Sequence, residues 1–277
     1  MVLIDVMVTA AVAAIALSAI MTGAWWIQRK TGNTGWIDVF WTFGLGGTAS
    51  VTALLPLTEG PWPQLRQVLV AALVLLWSLR LGWHILLRTH WVGDDPRYRN
   101  LIAQWGQNAG RQLFFQLQIQ AAVSLLLALS IMLAAHNPHP GIRVQDVLGP
   151  LILLTGIIGE AAADRQLRQF KRLAVNRGGI CDVGLWALSR HPNYFFEWLC
   201  WCAYPVIAID FRGFNPYGWF TLLAPLCMYW LLKSVSGIPP LEQHMERTRG
   251  DAYRAYQKRI NAFFPFPKAV LTTQAAR

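Results

Sequence analysis

The sequence predicts an all-α integral membrane protein with seven transmembrane helices, the N-terminus outside and the C-terminus cytoplasmic. Three observations carry that expectation. Apolar stretches long enough to cross a bilayer (about 20 residues each) recur at 3–27, 35–57, 67–87, 113–135, 146–163, 195–211 and 216–232. Of the 277 residues, 55% are hydrophobic and 14% charged, so 1–277 reads as one membrane domain with no separate soluble part. Lys and Arg also partition: 20 of the 24 follow the first, third, fifth and seventh stretches, three follow the others, and Arg80 lies within the third. Cytoplasmic loops hold the basic residues, which sets the orientation. The same asymmetry explains most of the net charge of +10 without nucleic acid as a partner.

The first stretch lacks a basic N-terminal region and is too long for a signal core, so it is expected to stay as a helix. Asp5 falls near its outer end, and Arg29 to Gly35 form a tight turn. The second stretch begins with Trp36-Ile37-Asp38 and continues through Gly44, Gly46 and Gly47, which permit close helix packing. Asp38 is either an acid favoured by the positive end of the helix or a group reaching a cavity open to the cytoplasm. In the third stretch, Arg80 and His84 are four apart and share a face. An arginine there needs a partner or water, so Arg80 faces a polar cavity or snorkels. Gly93 to Arg99 is too polar for the membrane and reads as a short interfacial segment.

Gln116, Gln118 and Gln120 of the fourth stretch are expected to bond to neighbouring helices. Residues 136–146 look like an external turn; His136 and His139 could bind metal, but exposed loop histidines ordinarily do nothing. Cys181, Cys200, Cys202 and Cys227 show neither CxxC nor Cys/His spacing, so no disulfide framework or zinc site is expected.

The fifth stretch ends in Glu160, Asp164 and Arg168 at i, i+4 and i+8, a single stripe, with Arg165, Arg168 and Arg172 basic beside it. Such a pattern suits a helix leaving the membrane with internal ion pairs. It equally suits an anion site, with basic groups for phosphate and carboxylates for ribose or amide. A short loop containing glycines (176–184) then leads to Ser189-Arg190-His191-Pro192-Asn193-Tyr194-Phe195-Phe196-Glu197-Trp198. Pro192 suits the first turn of a helix. His191, Asn193 and Tyr194 then cluster at a helix mouth whose N–H groups favour anions. Glu197 lies about one turn inside, and an acid within a membrane helix marks a functional site by default. Beyond the seventh stretch, 238–267 reads as an amphipathic interfacial helix and tail on the inner leaflet, either an anchor or a cover for a cofactor.

Arg190-His191-Pro192-Asn193-Tyr194 with Glu197 follows Glu160, Asp164, Gln166, Leu167, Phe170 and Lys171. It precedes Tyr253-Arg254, Tyr256 and Phe264-Pro265. Together these resemble the steroid 5-alpha-reductase family, most closely its bacterial branch, over about 38–267 and best over 160–267. The resemblance implies seven spans in a bacterial inner membrane, with NADPH in a cytoplasm-facing cavity that 146–267 mostly builds. It also implies reduction of the C=C bond of a 3-oxo-delta-4 steroid or similar apolar enone, with no metal. Arg168, Asn193 and Tyr194 resemble family residues around the dinucleotide, and Glu197 matches the acid after the asparagine. Asp164 and Lys171 are placed near ribose and phosphates. Arg80, Arg165, Arg172, Arg190, His191, Tyr253 and Arg254 complete the expected cofactor-binding set.

In that family an acid on helix 2 and a tyrosine on helix 3 hold the steroid carbonyl. Here Asp38 is the acid, and Trp77 stands where the tyrosine would be, with His84 further on. The catalytic candidates are therefore Asp38, His84, Tyr194 and Glu197, with Asp38, His84 or Tyr194 donating to the enolate oxygen as charge develops. An Arg-His-Pro element also occurs in isoprenylcysteine carboxyl methyltransferases, which use S-adenosylmethionine. A methyltransferase and a non-catalytic sterol- or lipid-binding protein are the alternatives.

Overall fold

The computed structural model describes residues 3–57, 62–92 and 96–266, and no strand occurs among them. The α-helices are α1 (Leu3–Thr31), α2 (Gly35–Leu54), α3 (Leu65–Val92), α4 (Pro96–Trp105), α5 (Ala109–Ala135), α6 (Gln145–Arg172), α7 (Pro192–Ala208), α8 (Leu223–Trp230) and α9 (Ile238–Arg259). A 3-10 run, Pro216–Leu222, leads into α8, and a π turn, Leu231–Val235, follows it. Each of the seven predicted stretches is mainly helical.

Among the described residues, five stretches are long and apolar enough to cross a membrane: Ile4–Thr31, Leu65–Trp91, Arg97–Ala135, Gln145–Arg172 and Pro216–Arg259. The other two predicted spans correspond to α2, diluted by Gly and Thr, and α7, which has 17 residues. In the last of the five, only the part before α9 is apolar. The α9 helix carries Glu242, Glu246, Arg247, Arg249, Asp251, Arg254, Lys258 and Arg259 and bends at Gly250, whose φ of 53° is left-handed. That composition places α9 outside the apolar span. The interfacial segment expected at 93–99 lies partly outside the described residues, as does Pro267; what is described, from Pro96, is α4.

Contacts gather the chain into two compact units, Met1–Leu153 with Trp201–Leu226, and Leu154–Cys200 with Cys227–Arg277. In the first, Leu17, Met21 and Ala24 of α1 pack on Ile37 of α2, on Leu113, Leu117 and Ala121 of α5, and on Tyr98. Lipid offers no hydrophobic drive between helices, so close approach and polar bonds carry such packing. Gly46 lets α3 approach until a Cβ there would overlap the Ser78 side chain, and Ser78 donates to the Thr42 carbonyl at 3.0 Å. Gly44 receives Ile20, whereas Gly47 faces open space. Two of the three glutamines bond as expected. Gln118 accepts from Ser18 at 2.7 Å and donates to Thr22 at 3.2 Å, and Gln120 donates to Tyr98 at 2.9 Å.

The segment 136–146 is in part the expected exposed turn, with Pro138, Pro140, Gly141, Ile142 and Val144 exposed, but its two ends are not. His136 and Asn137 are buried. His136 bonds to the Leu55 carbonyl at 2.8 Å, and Asn137 donates to the carbonyls of Ile207 and Ala208 at 3.1 and 2.9 Å. Arg66 uses all five of its N–H donors in this cap. It grips Asp146 at 2.9 and 2.8 Å and reaches the carbonyls of Asn137, His139 and Gly141. Arg143 shares Asp146 and pairs with Asp210 at 3.5 Å. Helix ends leave carbonyls without intrahelical partners; Arg143 donates to that of Ile207 in the last turn of α7, while Arg66 serves carbonyls of the loop. Among the described residues, no three His, Cys, Asp or Glu side chains come together as a metal site.

In the second unit the inner half of α6 packs closely on the first half of α7. A Cβ at Gly156 would meet the Cys200 sulfur and the Phe196 carbonyl, and one at Gly159 would enter the Phe196 ring. The loop after α6 is tied back to it. Gln166 accepts from the Leu185 N–H at 2.9 Å, and the Trp186 indole donates to the Ala163 carbonyl at 3.0 Å. Gly184 passes Gln166 closely at a φ of 59°, which no Cβ-bearing residue would take comfortably there.

Candidate functional site

The second unit contains most of the predicted site. Its centre is the turn into α7, and one acid on α9 holds that turn. Arg190 grips the Glu242 carboxylate with two bonds, 2.7 Å from Nε and 3.1 Å from Nη2. Its Nη1 donates to the carbonyls of Gln257, at 3.2 Å, and Ile260. His191 Nε2 lies 3.1 Å from the same carboxylate, and Gln257 donates to it at 3.1 Å. Tyr253 is buried in this cluster, and burial pushes its hydroxyl pKa well up.

Ser189 closes the turn from the other side. Its hydroxyl donates to the Phe263 carbonyl at 2.9 Å, and the His191 N–H donates to that hydroxyl at 3.1 Å. Tyr256 donates to the Trp186 carbonyl. Around this polar knot, Phe195, Trp198 and Tyr229 enclose Phe263 and Phe264 with ring centres 5.1 to 6.1 Å apart. The aromatic pairs add to the buried area they share.

The electrostatics follow from this arrangement. Burial holds the His191 ring below its ordinary value, against the pull of Glu242. For Glu242, burial acts upward, but the bonds from His191 and Arg190 outweigh it and hold the carboxyl at about 2. Glu242 is therefore the anion of the knot, and neutral His191 donates to it. Tyr194, two residues after Pro192, stacks on the His191 ring at 5.6 Å and 10°.

The α6 stripe lies in the same unit. Glu160 and Asp164 are buried, as is Glu197 of α7, whereas Arg165, Arg168, Lys171 and Arg172 are exposed. The glycine contacts set α7 antiparallel along α6, with Phe196 at Gly159 and Cys200 at Gly156. Continuing that register brings the first turn of α7, with Asn193 and Tyr194, alongside the stretch that begins at Ala163. The unit thus combines three buried carboxylates, a basic rim and a helix mouth, which together suit a phosphate-bearing ligand. Arg254 stands apart from the knot, in a surface pair with Asp251 at 2.6 Å.

The first unit holds Asp38, Arg80 and His84. Asp38 accepts from Arg97 at 2.6 Å, pairs with Arg88 at 3.6 Å, and has the Tyr98 hydroxyl at 3.4 Å. Two guanidiniums make this carboxylate an acceptor in an ion-pair cluster. Trp77 is buried in a file of rings, 6.2 Å from Trp41 and 5.1 Å from Trp201, which continues to Tyr204 at 5.8 Å. Arg80 and His84 are half-buried along the same helix.

Sequence reasoning missed Glu242, Gln257, Arg88 and Arg97 as partners of the predicted residues. For Glu242 the only local signal is an acid just after Pro239-Pro240 at the start of a basic helix. Among curated proteins and solved structures, no match is found. The model of the family described as "Protein of unknown function (DUF1295)" matches residues 24–260, which include the charged residues of both clusters but not Phe263 and Phe264, and the chain belongs to that family.

Proposed function

We propose that the protein is a seven-span reductase of the bacterial inner membrane, with its N-terminus outside and its cofactor face cytoplasmic. In this reading it uses NADPH to reduce the C=C bond of an enone lipid, most simply a 3-oxo-delta-4 steroid giving the 5-alpha product. The observation that carries the reading is the buried acid stripe of α6 joined to an exposed basic rim beside the mouth of α7. The association of the family with steroid 5-alpha-reductase-like proteins supports the same reading.

The residues present fit a dinucleotide phosphate. Arg165, Arg168 and Lys171 form the rim for its phosphates, Asp164 serves the ribose hydroxyls, and Asn193 offers an amide at the helix mouth. Arg190, His191 and Tyr253 are engaged with Glu242 and hold the turn in position. Bound NADPH would supply the hydride. Tyr194, its ring set by the stack on His191, donates its hydroxyl proton's hydrogen bond to the substrate carbonyl as enolate charge develops. A proton taken up from bulk water at the alpha carbon, with the hydride at the beta carbon, would give the saturated ketone, two hydrogens heavier. Glu197, buried a turn inside α7, orients this corner. Asp38, paired with Arg97 and Arg88, acts in this account as an anchor, and His84 is the second candidate donor.

Equilibrium binding of NADPH to detergent-purified protein tests the cofactor assignment. Arg168→Ala is expected to raise the dissociation constant severalfold or more at an unchanged melting temperature. Unchanged binding removes Arg168 from the site. Binding of S-adenosylmethionine without NADPH would replace the reductase reading with the methyltransferase one.

A further inference from the structure

The helix α6 has a second functional face. At about 100° per residue, Gln166, Phe170 and Leu173 lie roughly opposite Asp164 and Arg168. A cavity of about 600 Å³ opens beside them, lined by Phe170, Leu173 and Val183 together with the polar Gln166, Gln169, Asn176 and Arg172. Asn176 donates to the Phe170 carbonyl at 3.0 Å, which fixes the wall of the cavity to the end of α6. Apolar side chains stand out around it: Leu173 is 58% exposed, Val175 89% and Val183 54%. Arg172 and Arg177 are exposed among them.

Depth decides what such a surface meets. The 28 residues of α6 rise about 42 Å at 1.5 Å each, which matches a bilayer including its headgroups. The Gln166–Leu173 end then sits at headgroup level. Exposed valine and leucine are costly in water and at home at that depth, and arginines beside them favour phosphate.

We propose that this cavity binds an anionic phospholipid of the adjoining leaflet, its phosphate on Arg172 and one acyl chain along Phe170, Leu173 and Val183. Val175 and Arg177 seat the loop in the same leaflet. Arg172 continues the Asp164–Arg168 stripe by one turn, so the lipid site borders that face; its lipid readout does not depend on the reductase reading.

Native mass spectrometry of protein released from mixed phosphatidylglycerol–phosphatidylcholine nanodiscs tests this. Wild type is expected to retain phosphatidylglycerol severalfold over phosphatidylcholine. Arg172→Glu, and separately Val175→Asp, should lower that retention severalfold, while Arg111→Glu, at an exposed position of the first unit, leaves it in place. Equal retention of the two lipids, or unchanged preference in Arg172→Glu, overturns the proposal. So does an equal loss in Arg111→Glu, which would show only a general effect of surface charge. Size-exclusion profiles matching wild type confirm that each variant is folded.

Discussion

Arg190 and Glu242 lie 52 residues apart in the chain and meet in a two-pronged ion pair of 2.7 and 3.1 Å, with His191 on the same carboxylate. The pair joins the turn into α7 to the helix α9. Removing one partner of a buried pair strands the other charge, at a cost of about 3–5 kcal/mol. Glu242→Ala and Arg190→Ala are each expected to lower the melting temperature in detergent by several degrees or more. The double variant should lose less than the two singles added, because the stranded charge is gone. Strict additivity would show that the two side chains act independently.

Acid should weaken the same joint in two stages. The folded His191 lies below its ordinary value of 6.5, and the folded Glu242, at about 2, lies below its ordinary 4.5. In both cases the unfolded chain binds more protons, so stability falls as pH drops. The His191 contribution is lost below about pH 6.5, and the Glu242 contribution between about 4.5 and 2. Melting temperature followed from pH 7 to pH 3 checks this. Glu242→Gln should flatten the limb below pH 4.5, and curves that run parallel to wild type would contradict the assignment.

Close helix contact gives a contrast between two glycines. A Cβ at Gly159 would enter the Phe196 ring, whereas one at Gly47 meets nothing within 4 Å. Gly159→Ala is expected to cost about 1–3 kcal/mol through overpacking. Gly47→Ala should be neutral or stabilise by up to about 1 kcal/mol, the usual helix preference for alanine. Thermal stability measured in detergent separates the two, and equal effects would refute the close contact.

Arg66 offers a test of the polar cap. Lysine keeps the charge but loses the planar fork that reaches Asp146 and three carbonyls. Arg66→Lys is expected to destabilise the fold by about 2 kcal/mol, since buried acceptors are left unpaired. A melting temperature within a degree of wild type would show that water or lysine satisfies them.

The helices were legible because a membrane helix announces itself locally, by about 20 apolar residues. The turn Arg190–Glu197 was legible for a similar reason, since Pro192 and the acid at 197 signal within a few residues. What escaped was the pairing of distant groups. Glu242 looks like any acid on a charged helix, and its burial depends on α9 folding back over the turn. Residues 136–146 read as exposed because histidine, asparagine and proline belong to loops. Only His136, Asn137 and Asp146 among them are buried, His136 against Leu55 and Gln67, Asn137 against Arg66 and the end of α7, and Asp146 against Arg66 and Arg143. Arg190 entered the expected cofactor-binding set through the resemblance of its motif. Only the distances to Glu242, Gln257 and Ile260 reveal that at least four of its bonds are already made.

The central claim is a hydride transfer from NADPH to an enone, and turnover tests it most directly. Detergent-purified protein would be given NADPH with progesterone or testosterone, and the products analysed by mass. The account expects NADPH oxidation that depends on the steroid and a product two hydrogens heavier, both reduced in Tyr194→Phe. NADPH that stays reduced in the presence of these enones, with no mass gain, would contradict it.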